Sequence, residues 1–527
     1  MKNLNYLLLI LVFSSCQKIL HEPDYAISKI TSSGEMNVAV NGLYARLSLY
    51  MNNSDDERAD DYASKGGFSD ANWPALYNIV ISANSIIAQF ENKKGIIAGL
   101  KPGIGEAYLI RAYAYFRLVR NFGQVPVVKD VNVNYTMPKS SFHDIYAFIE
   151  ADLLKAISFL PSSMALSRIP YETPCRGSAK VLLAEVYLTM GGYPLNDNSK
   201  YLKAAQIAGE VKDSAYYYGF GLTPDYAYLS DNIHTRTNEN VFTLFYTQQG
   251  VKLDYNTLNS ETHFYMGTIA WMQNFLSQMP YGYHFVHWFT PCWTFFKNYP
   301  NSYRKEVTFQ TIVPKTIIWY TSWQPDMQNP GKYYGLIRFK KISTNDSASV
   351  IDNVFYKKYG YSFNVTDTPF TVTLAIDSTT GNVDTSSINF KKYFNSGANQ
   401  PIRIFRYAHT LLTYAEAKAR SGQLDASAYE AVNMVRRRAN KVDINSPSKY
   451  DLQPGLSATQ FADSVIWERA WEFCAEPEGR WYDLVRLEMV EQLPQLKDFP
   501  PPVPMYTKSN YFSPIPSNDI ALDPNLN

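Results

Sequence analysis

Apolar residues recur at helical spacing over most of the first 215 positions and again beyond position 400. The segment GEAYLIRAYAYFRLVRNFGQVPVV carries Leu109, Ala112, Tyr113, Phe116 and Val119 along one face, and Ala107, Ile110, Ala114 and Leu118 along a second. Recurrence at i, i+3, i+4 and i+7 marks a helix, and two apolar faces mean a helix packed between neighbours, as in a bundle or solenoid. Glu106, Arg117 and Arg120 share a polar stripe, and Gly123 and Pro126 end the segment. The same pattern predicts helices over 37–50, 74–91, 103–120, 142–158 and 174–190.

In SAKVLLAEVYLTMGGYP, Leu183, Ala184, Tyr187 and Gly191 fall at the offsets of a tetratricopeptide first helix. Ala204, Ala208 and Val211 supply the small and apolar positions of the helix that follows. The loop between them, GYPLNDNSKY, is longer than the standard repeat, so the repeat is irregular. YAHTLLTYAEAKARSGQ and ASAYEAVNMVRRRAN predict another helical hairpin over 407–440. A generic α-hairpin bundle fits the same period.

Between 216 and 400 the helical period fades, and Asn, Thr, Ser, Gly, Pro and aromatic residues dominate. NVFTLFYT (240–247) and TIIWYTSW (316–323) alternate as strands do. The expected organisation is a helical scaffold over about 37–215 and 401–491, an irregular insertion over about 216–400, and a proline-rich tail, 492–527, extended against the body.

Composition sharpens this picture. The chain has 527 residues, enough for a large core or for one repeat scaffold with insertions. Its net charge of +1 argues against a nucleic-acid binder. The aromatic fraction is 15%, with 41 Tyr, 29 Phe and 9 Trp, which suits a wet binding surface because a phenol joins an apolar ring to a polar hydroxyl. The four cysteines, Cys16, Cys175, Cys292 and Cys474, form no CxxC pair, so neither zinc nor a disulfide framework is expected, and Cys474 reads as a small buried hydrophobe.

The first fifteen residues hold one early Lys, an apolar run from Tyr6 to Phe13, and Ser14 and Ser15 before Cys16. The run is too short to span a bilayer and reads as a signal peptide. A cysteine after the small pair resembles a bacterial lipoprotein signal, with Phe13 where that signal usually has Leu. The resemblance implies that the Cys16 thiol is lipidated and anchors an otherwise soluble body.

The sequence contains no HExxH, GxSxG, Walker A or kinase motif. DDERADDY (55–62) is acidic enough for a weak calcium site, although a solvated acidic loop is the favoured account. No other cofactor is indicated.

Near the chain end, WERAWEFCAEPEGRWYDLVRLEM resembles the C-terminal signature of the SusD/RagB family of Bacteroidetes surface lipoproteins. Glu468, Arg469, Glu472, Glu476, Gly479, Arg480, Trp481, Asp483, Leu484 and Arg486 match it, while Pro477 and Glu478 alter its turn. GEAYLIRAYAYFRLVRNFGQVPVV, RGSAKVLLAEVYLTMGGYP and YFSPIPSNDIALDPNLN agree with further blocks. The resemblance covers the ends and the helical scaffold and is weak through 220–400.

It implies a mainly α-helical, tetratricopeptide-like scaffold carrying a ligand-binding insertion, one such domain over 16–527. It also implies a non-catalytic, lipid-anchored outer-membrane protein exposed at the cell surface. That protein captures oligo- or polysaccharide for a SusC-like TonB-dependent transporter; the RagB branch gives an oligopeptide receptor as the alternative. The signature itself reads as structural. Glu468/Glu472 and Glu476/Arg480 stand at i, i+4, and an Arg–carboxylate joint fixes helix register.

Trp271, Trp288, Trp293, Trp319 and Trp323 fall within one-tenth of the chain, among Tyr281, Tyr283, Tyr320 and His287. Flat C–H faces of sugar rings stack on such side chains, and a few polar groups fix orientation. The expected ligand contacts are Trp288, Trp293, Trp319 and Trp323, then Trp271 and Tyr283, with Trp73 and Asp61 from the N-terminal region. Trp467, Trp471 and Trp481 are assigned to the core, and Trp73 is placed just ahead of a helix it caps.

Overall fold

The structure is a computed structural model. It describes residues 29–52, 59, 72–91, 93–131, 136–230, 233–245, 293–310, 401–495 and 507–527, together with the backbone of short strands between 324 and 395. Six long helices come first: α1 (Ser33–Asn52), α2 (Asn72–Ile87), α3 (Lys101–Phe122), α4 (Phe142–Phe159), α5 (Arg176–Met190) and α6 (Ser199–Asp213). A single turn, α7 (Ala215–Tyr218), follows. The second helical block holds α10 (Tyr407–Arg420), α11 (Ala426–Ala439), α12 (Ala458–Glu472) and α13 (Arg480–Arg486). Between the blocks lie α8 (Trp293–Asn298) and α9 (Tyr303–Thr308), two short helices where strands and loops alone were expected.

Local chemistry sets the helix ends. Pro102 sits in the first turn of α3, where its missing N–H costs nothing. Gly123 closes α3 at φ 76°, a left-handed conformation that glycine adopts without a Cβ clash. Ser141 and Asp425 cap α4 and α11 with their side-chain oxygens, and Ser457 and Gln460 form a capping box on α12.

Each helix packs on the next from α1 to α6, and α6 then packs on α10 across the whole insertion. The scaffold is therefore one continuous helical array, mainly α as expected, interrupted in sequence but not in space. Small residues allow the approach: Ala204, Ala205 and Ala208 of α6 and Ala408, Ala415 and Ala417 of α10 are almost wholly buried.

The insertion leaves on strand β1 (Asn240–Leu244) and returns on β4 (Ile402–Arg406), an antiparallel pair with Asn240 opposite Arg406 and Leu244 opposite Ile402. Arg403 braces the pair, donating to Asn240 Oδ1 at 2.9 Å and Leu229 O at 2.8 Å. Tyr113 of α3 meets Phe242 and Phe405 edge-on at 5.7 and 6.4 Å, seating both strands on the helical body. Within the insertion, β2 (Lys332–Ile337) and β3 (Phe370–Ile376) pair antiparallel, with Lys332 opposite Ala375 and Ile337 opposite Phe370. The expected strand over 240–247 is present as β1; the one over 316–323 lies outside the described residues.

The end of the tail does not run extended throughout. Residues 507–527 include α14 (Ser517–Leu522) and fold against the end of α3, where Ser513 N donates to Asn121 O at 2.7 Å.

Candidate functional site

The candidate ligand-binding region is the insertion, and the described residues show what holds its base. Glu239 precedes β1, and Arg406 ends β4. Arg406 pairs with Glu239, reaches Glu472 Oε1 at 2.8 Å, and takes both oxygens of Glu476 at 2.9 Å each. Arg438, in the last turn of α11, pairs with the same Glu239 and Glu472. Arg304 comes from α9, inside the insertion, and its Nη1 stands 2.7 Å from both Glu468 Oε1 and Glu472 Oε2. Glu472 thus joins an arginine of the insertion, one of its stalk and one of the scaffold. Desolvating these charges is costly, and the close oppositely charged contacts offset it.

Two further clusters use the same signature. Arg469 donates to Asp483 Oδ2 and Glu185 Oε1, each at 2.8 Å, while Arg486 grips Glu416 bidentately at 2.6 Å twice. Burial opposes ionisation of Asp483, but Arg469 and Arg486 outweigh it and hold the carboxyl far below the ordinary range. Glu478 accepts from Arg117 at 3.1 Å, Arg120 at 2.6 Å and Tyr113 Oη at 2.7 Å. The polar stripe of α3 is therefore internal. Its third member, Glu106, is fully buried and takes Arg168 Nε at 2.8 Å and Nη2 at 3.1 Å.

One expected pair does not form. Glu476 and Arg480 share no helix: α12 ends at Glu472 and α13 starts at Arg480. Ala475 lies between them in the left-handed region at φ 57°, and Pro477 and Gly479 break the turn. Glu476 consequently faces Arg406 across the chain. Sequence reasoning also missed Glu239, Arg304, Arg406 and Arg438 as partners. A signal was present in IRIFRYAH and MVRRRA, where arginines sit among apolar residues at positions that a strand or helix buries.

His409 is buried among these clusters. Its Nδ1 accepts from Arg406 N at 3.1 Å, and its ring stacks on Phe473 with centroids 3.7 Å apart. Burial, and then the neighbouring Arg406, push its pKa well below the ordinary histidine value, so it is neutral.

Aromatic packing docks the insertion from a second side. Phe295, Phe296, Tyr299 and Phe309 cluster against Ala470, Cys474 and Ala475, and Tyr299 Oη donates to Trp471 O at 2.8 Å. Trp467 and Trp471 stack beside this cluster with centroids 5.9 Å apart and are only partly buried, while Trp481 and Cys474 are fully core.

Of the expected contacts, Trp293 opens α8, the helix whose far end this cluster anchors; its side chain lies outside the described residues. So do Asp61, Trp271, Tyr283, Trp288, Trp319, Trp323 and the lipidation candidate Cys16. Trp73 requires correction. It does not precede its helix but lies within α2, 4% exposed, with Tyr77 at 4.9 Å and Phe122 edge-on at 5.1 Å. A ring so enclosed is core and presents no face to a ligand.

Among the described residues, each signature carboxylate is committed to arginine, no group of His, Cys, Asp and Glu is placed to hold a metal, and no helix is long and apolar enough to cross a membrane.

Two family models match the chain, the SusD family over residues 211–527 and "Starch-binding associating with outer membrane" over residues 15–188. A SusD-like protein, P2, of Formosa agariphila is 24% identical over 486 residues, covering 87% of this chain and 80% of that one. A SusD homologue of Bacteroides thetaiotaomicron superposes with a TM-score of 0.62 at 21% identity, over 95% of this chain and 97% of the other. Surface glycan-binding protein A of Bacteroides uniformis gives 0.60 at 18% identity, over 94% and 98%.

Proposed function

The chain belongs to the SusD family, and on that footing we propose that it is a non-catalytic glycan-binding protein of the outer membrane. It captures oligo- or polysaccharide on its aromatic insertion and passes it to a SusC-like TonB-dependent transporter, held to the membrane by lipid on Cys16. The observation that carries this reading is the base of the insertion. The described base of a long aromatic-rich segment is seated on the helical array through Glu472 and its three arginines, so these acids serve to hold the segment and not to do chemistry. A general acid or base needs a titratable group within reach of substrate, and these carboxylates already face arginine. The names of the relatives support the cargo class: one solved neighbour is a surface glycan-binding protein, and one matching family is described as starch-binding at the outer membrane.

Trp288, Trp293, Trp319 and Trp323, with Trp271, Tyr283 and Asp61, are the contacts we assign to the ligand. The deciding experiment is a glycan array run beside a peptide library on the purified chain. Binding confined to saccharides is the expected result. Binding confined to peptides would replace this reading with the oligopeptide one, and turnover of a bound glycan would make the protein an enzyme.

A further inference from the structure

The helical body carries a second aromatic surface, away from the tryptophans of the insertion in sequence. In AYYYGF, Tyr218 and Phe220 turn inward over Gly177, where an added Cβ would come within 2.7 Å of either ring. Gly219 closes the turn at φ 84°. That geometry drives the other two rings out: Tyr216 is 99% exposed and Tyr217 60%. Tyr171, half exposed, lies against the same turn, its Cε1 standing 3.7 Å from the Cβ position of Gly219. It is held at φ 62° by a loop in which its own N–H donates to Met164 O at 3.0 Å. Exposed aromatic rings gathered about one turn are the kind of surface that marks an interaction site.

The position of the cluster points to its ligand. Glu172, next to Tyr171, accepts from Arg236 Nε at 2.9 Å. The Arg236 guanidinium lies 5.6 Å from the centroid of Phe245, the residue that follows β1 where the insertion departs. Tyr171 therefore adjoins an exposed ion pair that reaches the root of the insertion, and it lies against the turn that carries Tyr216 and Tyr217. Open ring faces beside charged hydrogen-bonding groups suit pyranose rings, whose C–H faces stack while their hydroxyls bond.

We propose that Tyr171, Tyr216 and Tyr217 form an accessory saccharide-stacking platform that grips an extended chain where it emerges from the insertion. This rests on the glycan reading above and adds to it the substrate class: a polymer, not a short oligosaccharide, is the ligand the protein is built to hold.

The test uses the full chain and a panel of amylopectin, xylan, laminarin, galactomannan and alginate, each as polymer and as tetrasaccharide, followed by calorimetry. The variant combines Tyr216→Ala and Tyr217→Ala with Tyr171→Asn, asparagine being tolerant of positive φ. For any polymer the wild type binds, the variant should bind about five- to fiftyfold more weakly, the scale of one or more lost stacking contacts. Affinity for the matching tetrasaccharide and the melting temperature should stay unchanged, and phenylalanine at 216 and 217 should keep most of the polymer affinity. Unchanged polymer affinity overturns the platform and leaves the glycan function standing. So does a variant that keeps its glycan affinity but loses co-purification with a membrane protein. A wild type that binds peptides and no glycan overturns both.

Discussion

Arg406 and Glu472 meet 2.8 Å apart with their side chains 1% and 0% exposed, one ending the stalk of the insertion and the other ending helix α12. Arg304 and Arg438 share the same carboxylate from two other elements. Removing that anion leaves three buried guanidiniums short of a partner, and breaking a buried pair costs about 3–5 kcal/mol. Glu472→Ala should therefore lower the urea midpoint by that order, and the loss should extend to protease resistance of the insertion. A variant as stable as wild type would mean that the joint is dispensable.

Acid should weaken the fold through His409. Burial and Arg406 hold its folded pKa well below 6.5, with Arg469, Glu476 and Asp483 the other charges acting on it. The folded state binds fewer protons than the unfolded chain, so stability is full above about pH 6.5 and falls as pH drops below it, by up to about 1.4 kcal/mol per pH unit for one proton. His409→Asn keeps an acceptor near the Arg406 amide and removes the titration. Unfolding free energies measured at pH 7.5 and 5.5 should differ less for the variant than for wild type; equal slopes would assign the acid sensitivity elsewhere.

Gly192 lies against the signature turn, and a Cβ there would come 2.2 Å from Arg486 O. That carbonyl also accepts Tyr193 N at 2.9 Å, so it cannot simply move away. Gly192→Ala should cost about 1–3 kcal/mol, as overpacking does, read as a lower melting temperature. An alanine variant with unchanged melting would show that this contact relaxes freely.

Single alanine replacements of Trp288, Trp293, Trp319 and Trp323 should, in at least two cases, weaken glycan binding by about 1–3 kcal/mol with little change in melting temperature. Trp73→Ala should do the reverse, destabilising by about 3–5 kcal/mol as an emptied core site does. Four tryptophan variants that bind like wild type would move the binding surface elsewhere.

Cys16→Ala should release the protein from membranes of cells that lack the transporter. Two acyl chains are expected to anchor it, since one binds only marginally. A variant that still sediments with the membrane fraction would count against the lipid anchor.

The helical half of this protein was legible in its sequence because helix formation is a local property. A face such as Leu109, Ala112, Tyr113, Phe116 and Val119 repeats within a few residues, and the predicted spans fall within a few residues of those observed. The signature was also recognisable as a joint, since five acids and two arginines from Glu472 to Glu488 have few structural uses. The choice of partners was not local. Glu239 and Arg406 are 167 residues apart in sequence, and Arg304 and Glu472 are 168 apart. Charge and spacing offer each arginine many acids, and only the packing of α6 on α10, which brings the ends of the insertion together as β1 and β4, selects among them. The same reason places Trp73 in the core: an indole is equally suited to core and ligand, and beyond Tyr77 one turn on, the ring that encloses it, Phe122 of α3, is set by how α2 lies on α3.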